Sequence, residues 1–288
     1  MTLQVPDRVG VLGGGRMGAG IAHAFLLAGA RVHVVERDGQ SADAARERIR
    51  DSIRRSVERG HATETEDVIA DRLSTGTDAG GFAGHALVVE AVPEDRGLKE
   101  EALARAEAAL GGDAVLATNT SSISIDDLAA SRRHPERFLG LHFFNPVPAS
   151  ALVEVVRGAA TDPAVVEGAR GWVTGLGKTA IVVRDSPGFA SSRLGVMLGL
   201  EAIRMLEEGV ASAEDIDAAM TLGYRHPVGP LRTTDLVGLD VRLGIAEELA
   251  AALGPRFEPP ALLRRMVAEG RLGRKTGHGF YEWNEDER

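Results

Sequence analysis

The feature that most restricts this chain is a glycine-rich turn near its start. Arg8 to Leu12 (RVGVL) has the pattern of a short buried strand. It runs into Gly13-Gly14-Gly15-Arg16-Met17-Gly18 and then into Ala19 to Ala28, where Ile21, Ala22, Phe25 and Leu26 recur at helical spacing. Gly29 ends that helix, and Arg31 to Glu36 (RVHVVE) reads as a second strand. Strand, GxGxxG turn, helix, strand and an acid about twenty residues on is the order of a dinucleotide-binding βαβ unit. Gly13 permits the tight turn, Gly15 the close approach of a pyrophosphate, and Gly18 the packing of helix on strand. Arg16 and Met17, between the glycines, complete the expected cofactor loop, and the free amides of the helix start face the phosphates. Glu36 is placed to accept hydrogen bonds from ribose hydroxyls. Its charge repels a 2′-phosphate and favours NAD over NADP, while Arg37 beside it pulls the other way. A lone GxGxxG is also an ordinary glycine-rich turn; the complete unit around it is what points to a dinucleotide.

The rest of the first two-thirds continues the alternation. Ser41 to Arg59 is charged and helical in pattern, and a second helix spans about Thr63 to Arg72, so the two read as a helical hairpin inserted before the next strand. Its arginines (Arg54, Arg55, Arg59) fit either a solvated surface or contacts to ligand phosphates. Further strands are expected at Ala86–Val92, Ala114–Thr118, Phe138–Phe144, Leu152–Val156 and Thr179–Val183, with helices at Arg96–Leu110, Ile123–Ala129 and Pro163–Leu176. In open parallel sheets, ligands bind beyond the C-terminal strand ends, where Glu90, Glu94, Ser121 and His142 fall. Ser121 can be a helix N-cap, a ligand contact, or both. After Asp185-Ser186-Pro187-Gly188 strand-like runs cease. Helices are expected at Phe189–Glu208, at Ala213–Leu222 capped by Ser212, at Leu231–Leu253 and at Pro259–Glu269. The expected architecture is α/β: a Rossmann-type domain over 1–185 with a helical hairpin insertion, then an all-α domain over 186–288. A helical domain so apolar suggests a homodimer.

Composition serves mainly to exclude. The chain of 288 residues has no cysteine, which removes disulfide and thiolate chemistry and cysteine metal sites. A net charge of −9 argues against nucleic acid as a partner. No apolar run approaches the roughly 18 residues of a spanning helix, and no signal peptide precedes the first strand, so no membrane partner and a cytoplasmic location are expected. Lysine occurs only at Lys99, Lys178 and Lys275.

Two polar residues stand out inside apolar runs. His142 lies within Phe138–Phe144 and Glu154 within Ala151–Val156, with Pro146 and Pro148 breaking the chain between them. A buried carboxylate costs several kcal/mol unless a proton or positive charge is near. Two strands joined by a proline-rich turn can set the imidazole beside the carboxylate, as a general base with an orienting partner. The same residues also fit a buried histidine satisfied by backbone and a glutamate at a strand edge.

Taken together, the motifs resemble the 3-hydroxyacyl-CoA dehydrogenase family, the short-chain 3-hydroxybutyryl-CoA dehydrogenases most of all. The resemblance rests on GGGRMGAGIA at 13–22, VVEAVPED at 88–95, NTSS at 119–122, GLHFFNPVP at 140–148 and LVEVV at 152–156. It continues through DSPGF at 185–189, EDIDAAM at 214–220, HPVGPLRTTDLVGLD at 226–240 and GRKTGHGFY at 273–281. The resemblance implies NAD as cofactor and oxidation of the 3-hydroxyl of an acyl-CoA substrate. It makes His142 the general base, Glu154 its orienting partner, and Ser121 a contact near the reacting oxygen. It places Asn145 and Ser121 at the nicotinamide, Glu94 and Lys99 at its ribose, and Lys275 within reach of the cofactor from its own or a partner subunit. Ser192 stands where the family carries an asparagine that bonds substrate and catalytic histidine; its hydroxyl still donates and accepts. The hairpin also lacks the lysines the family often sets around coenzyme A. A dehydrogenase of free 3-hydroxy acids on the same fold, and a nucleotide-binding protein without the chemistry, remain as other readings at this stage.

Overall fold

A computed structural model describes residues 5–284; the four residues at each end, which the expected domain ranges include, lie outside the described residues. The chain divides into two compact units, residues 1–185 and 186–288.

In the first unit, eight strands form one sheet: β1 (Arg8–Leu12), β2 (Arg31–Val35), β3 (Leu73–Gly76), β4 (Leu87–Glu90), β5 (Val115–Thr118), β6 (Phe138–Phe143), β7 (Leu152–Arg157) and β8 (Thr179–Arg184). Their order is β3-β2-β1-β4-β5-β6-β7-β8, parallel from β3 to β6, with β7 antiparallel to β6 and β8 parallel to β7. The chain order reverses beside β1, so a crevice opens between the C-terminal ends of β1 and β4. The helices are α1 (Arg16–Leu27), α2 (Gly39–Glu58), α3 (Glu66–Ala70), α4 (Arg96–Ala109), α5 (Ile125–Ala129) and α6 (Pro163–Gly175).

Apolar periodicity drives the assembly. Ile21, Ala22, Phe25 and Leu26 of α1 and Ala45, Ile49 and Ile53 of α2 are buried in one cluster with Val9, Val11, Val32, Val34, Leu87 and Val89 of the strands. Each fully buried large side chain contributes about 1.5–3 kcal/mol. Asp38 caps α2 by accepting from Ser41 N, Asp95 caps α4 from Leu98 N, and Asp162 caps α6 from Ala164 N, each satisfying an orphan amide.

Several expectations need correction here. The inserted hairpin is followed first by the edge strand β3, whose LSTG carries no alternating apolar pattern and gains its ladder only from β2. Of the hairpin's second helix only Glu66–Ala70 is helical. Helix α1 begins at Arg16, so Met17 and Gly18 lie inside it. Ser121 caps no helix: α5 starts at Ile125 under Ser124, which accepts from Asp127 N.

The second unit contains α7 (Ser191–Glu207), α8 (Ala213–Ala218), α9 (Pro230–Val237), α10 (Leu239–Leu253) and α11 (Ala261–Ala268), packed around Val196, Leu200, Ile203, Leu231, Leu249, Leu263 and Met266. The long helix expected from Leu231 is broken into α9 and α10 at Gly238, whose φ of 106° no helix tolerates. Past α8 the chain continues in one wider turn, Ala219–Gly223. Two buried carboxylates tie the tail down. Asp235 accepts from the amides of Phe280 and Tyr281 and from Trp283 Nε1; Asp217 accepts from Leu231 N, Arg232 N and the Tyr281 hydroxyl. Among the described residues, no helix is long and apolar enough to cross a membrane.

Candidate active site

The antiparallel register of β6 on β7 sets His142 directly opposite Glu154, on one face of the sheet. His142 Nδ1 lies 2.6 Å from Glu154 Oε2, with His142 4% and Glu154 0% exposed. A hydrogen bond of that length between two buried groups fixes the ring's orientation. The Phe144 ring packs on His142 at a centroid distance of 4.5 Å. The turn between the two strands is held from below: Lys178 Nζ donates to the carbonyls of Val147 (2.7 Å) and Ser150. Lys178 is therefore a clamp on this turn. Asn145, joined to Pro146 by a cis bond, lies exposed at its start.

Beside β6, the ends of β4 and β5 carry a connected polar network. Glu90 is fully buried and accepts from Lys99 Nζ (2.8 and 3.1 Å), Thr118 Oγ1 (2.6 Å) and Val92 N (2.6 Å). Lys99, 1% exposed, also donates to the Val92 carbonyl and reaches Glu94 Oε2 at 3.2 Å. The other Glu94 oxygen accepts from Thr120 Oγ1, Ser121 N (2.8 Å) and Ser122 N (3.1 Å). Burial pushes the Glu94 carboxyl up, but the Lys99 ammonium and the bonds from Thr120 and Ser121 overcome it and hold the group below the usual range. The Lys99 ammonium is thus enclosed between Glu90 and Glu94, at the ends of the strands. Asn119 Oδ1 accepts from Phe143 N (2.9 Å), tying the end of β5 to the end of β6.

At the glycine turn, Gly13 has φ of 94° and donates to the Val35 carbonyl. A Cβ on Gly18 would sit 1.7 Å from the Gly13 carbonyl oxygen, so the helix can pack on the strand only with glycine there. A Cβ on Gly15 would meet nothing within 4 Å, and no side chain caps α1. An uncapped helix N-terminus with open space beside Gly15 suits a pyrophosphate. Arg16 is exposed there and Met17 half-buried. Glu36, just past β2, accepts from Gly14 N at 2.6 Å, and Arg48 of α2 donates to the Gly14 carbonyl at 2.7 Å. These groups fit the diphosphate and ribose of a dinucleotide. The roles of Arg48, Thr118, Thr120 and Lys178 escape a reading of the sequence; of these, only Thr120 lies within a recognisable motif, NTSS, and Thr118 directly precedes it.

Ser192 and Lys275 belong to the second unit. Ser192 lies in the first turn of α7, and Lys275 Nζ pairs with both carboxylate oxygens of Asp240 at 2.6 Å. No group of three or more metal-binding side chains occurs among the described residues.

Comparison with known proteins adds to this geometry. Residues 8–186 match the model of the 3-hydroxyacyl-CoA dehydrogenase NAD binding domain, and residues 188–283 that of the 3-hydroxyacyl-CoA dehydrogenase C-terminal domain. The chain belongs to the 3-hydroxyacyl-CoA dehydrogenase family. This family member is 45% identical over 281 residues to a 3-hydroxybutyryl-CoA dehydrogenase of Mycobacterium tuberculosis, covering 96% of this chain and 98% of the relative. A probable 3-hydroxybutyryl-CoA dehydrogenase of Deinococcus radiodurans is 39% identical over 277 residues, covering 96% of this chain and 100% of the relative. The crystal structure of an (S)-3-hydroxybutyryl-CoA dehydrogenase from Ralstonia eutropha superposes with a TM-score of 0.92 at 38% identity, over 97% of this dehydrogenase and 100% of that chain. The protein is an NAD-dependent enzyme of this family, with an NAD-binding α/β unit followed by a helical one.

Proposed function

We propose that the enzyme oxidises the 3-hydroxyl of a short-chain (S)-3-hydroxyacyl-CoA to the 3-ketone, with His142 as general base. The observation that carries this reading is the buried His142–Glu154 pair at 2.6 Å. With Nδ1 engaged by Glu154, the opposite ring nitrogen, Nε2, is the atom that takes the hydroxyl proton. Glu154 then stabilises the imidazolium, a step worth roughly 10²–10⁴-fold in rate. Ser121 and Ser192 position the substrate oxygen. NAD, when bound, supplies the hydride acceptor. Gly13, Gly15, Arg16, Met17 and Gly18 hold its diphosphate, Glu36 its adenosine ribose, Glu94 its nicotinamide ribose, and Asn145 with Ser121 its nicotinamide end. Lys99 joins Glu94 at the nicotinamide ribose, its ammonium 3.2 Å from Glu94 Oε2. Lys275 completes the cofactor site from its own or the partner subunit, and the helical unit carries the homodimer contact. The two domains, 1–185 and 186–288, then divide the work between cofactor on one side and substrate and dimerisation on the other.

His142→Gln tests the reading. Acetoacetyl-CoA reduction should fall at least about a hundredfold, while NADH affinity, followed by fluorescence titration, stays within roughly twofold of wild type. Turnover that survives the substitution removes His142 from the chemistry.

A further inference from the structure

The edge formed by the N-terminal ends of the strands, away from the glycine turn, holds a second concentration of charge. Arg8 and Arg31 open β1 and β2 and are direct partners in the parallel register. Their backbones are therefore about 4.8 Å apart, and their side chains leave the same face of the sheet. Two residues along β2 on that face is His33, whose register partner on β3 is Ser74. His33 Nδ1 lies 2.8 Å from the Ser74 hydroxyl. His85, in the loop before β4, has its ring centroid 6.2 Å from that of His33, and both rings pack against Phe82. Arg8, Arg31, His33, Ser74 and His85 line a crevice of about 510 Å³, within the size range of small-molecule sites.

Its charge is unbalanced. Like charges side by side on adjacent strands oppose folding, yet among the described residues neither Arg8 nor Arg31 forms an ion pair with a carboxylate. Arg72, also at the rim, is committed to both oxygens of Glu64 and to the Leu26 carbonyl. The single carboxylate lining the crevice is Asp71. His85 is 5% exposed and its Nδ1 is buried without a hydrogen-bond partner. Two uncompensated guanidiniums persist here on a chain whose net charge is −9.

We infer that this edge binds a small anion of charge two or more, of phosphate type, gripped by Arg8 and Arg31 with Ser74 and His85 as further donors. Guanidinium forks match the paired oxygens of such a group. The charged groups around the two imidazoles are Arg8, Arg31, Asp71, Arg72 and Asp78. Burial holds His33 and His85 below the ordinary imidazole range; His85 and Arg8 also push His33 down while Asp78 pulls it up, and Arg8 pushes His85 down against the nearby Phe82 and Ala83 carbonyls, which pull it up. An anion seated on Arg8 offsets that repulsion, so its binding draws protons onto the rings. The site stands apart from the glycine turn and does not depend on the role of His142.

Isothermal titration of the full-length enzyme with sodium pyrophosphate tests this. It is run at saturating NADH, so that the glycine turn is filled, at constant ionic strength, and in two buffers of different ionisation enthalpy. The expected result is one saturable site with Kd below about 1 mM and net proton uptake near pH 6.5. Arg8→Ala and Arg31→Ala should each weaken it roughly tenfold or more with turnover unchanged. Should either variant fold poorly, ring-proton NMR of the wild type decides: pyrophosphate must move the His33 and His85 signals. Heat no greater than a matched chloride control, affinity unaltered in both variants, or unmoved ring signals each overturn the inference.

Discussion

His23 lies on α1 with its Nε2 2.9 Å from the Ser56 hydroxyl of α2, and only 1% of the residue is exposed. Burial lowers its pKa from 6.5 to about 4, with Arg55 and Lys178 acting in the same direction. The unfolded chain therefore binds a proton between those two values that the folded chain refuses, and stability falls as pH drops through that window. At 1.36 kcal/mol per unit, the loss from this one group approaches about 3 kcal/mol by pH 4. Urea unfolding at pH 7.5, 6 and 4.5 should show the decline, and His23→Asn should flatten much of it. Equal slopes in the two proteins would assign the acid sensitivity to other groups. Glu94 acts in the same direction at lower pH: its lowered pKa keeps the carboxylate ionised, so the network around Ser121 holds through the usual carboxylate range and loses its contribution as the pH falls below it.

The element that carries the cofactor is the β1–α1 corner, and its glycines divide by mechanism. Gly18 faces the Gly13 carbonyl at a distance no side chain can share, whereas Gly15 borders open space and has an extended backbone any residue adopts. Gly18→Ala should therefore lower Tm by several degrees, since forced overpacking typically costs about 1–3 kcal/mol, and it should weaken NADH binding as the corner shifts. Gly15→Ala should leave Tm within about a degree and still weaken NADH binding tenfold or more, because the methyl group occupies space needed by the diphosphate. Calorimetry beside fluorescence titration separates the two effects. A Gly15→Ala enzyme that binds NADH normally would show that the phosphates do not approach this residue.

Across the whole molecule, the helical unit carries the largest exposed apolar side chains: Leu194 at 71%, Leu222 at 82% and Tyr224 at 76%. Large apolar side chains this exposed on one compact unit are the material of a self-association surface. Sedimentation velocity at micromolar concentration should give a dimer, and Leu194→Asp with Leu222→Asp should shift it toward monomer while the first unit keeps its NADH affinity. A wild-type monomer at these concentrations would remove the dimer from the reading.

Most of the fold was legible because its elements are written in apolar periodicity and in glycines with a steric duty, which act over short stretches of chain. The strands β1, β2, β4, β5, β6, β7 and β8, the glycine corner and the break after Asp185 all declare themselves this way. His142 and Glu154 drew attention as polar residues within apolar runs, but sequence alone left open whether they meet. That was decided by the antiparallel register of β6 on β7, a long-range pairing that no local pattern encodes. The same holds for β3, a strand by virtue of its neighbour, and for Gly238, whose left-handed backbone splits an otherwise continuous helical pattern. It holds too for Lys99 and Lys178, whose charges turn inward to serve Glu94 and the proline turn. Sequence determined which segments are buried and where a dinucleotide can dock; only the folded chain decided which charges find each other, because electrostatic partnership depends on distances between residues far apart along the backbone.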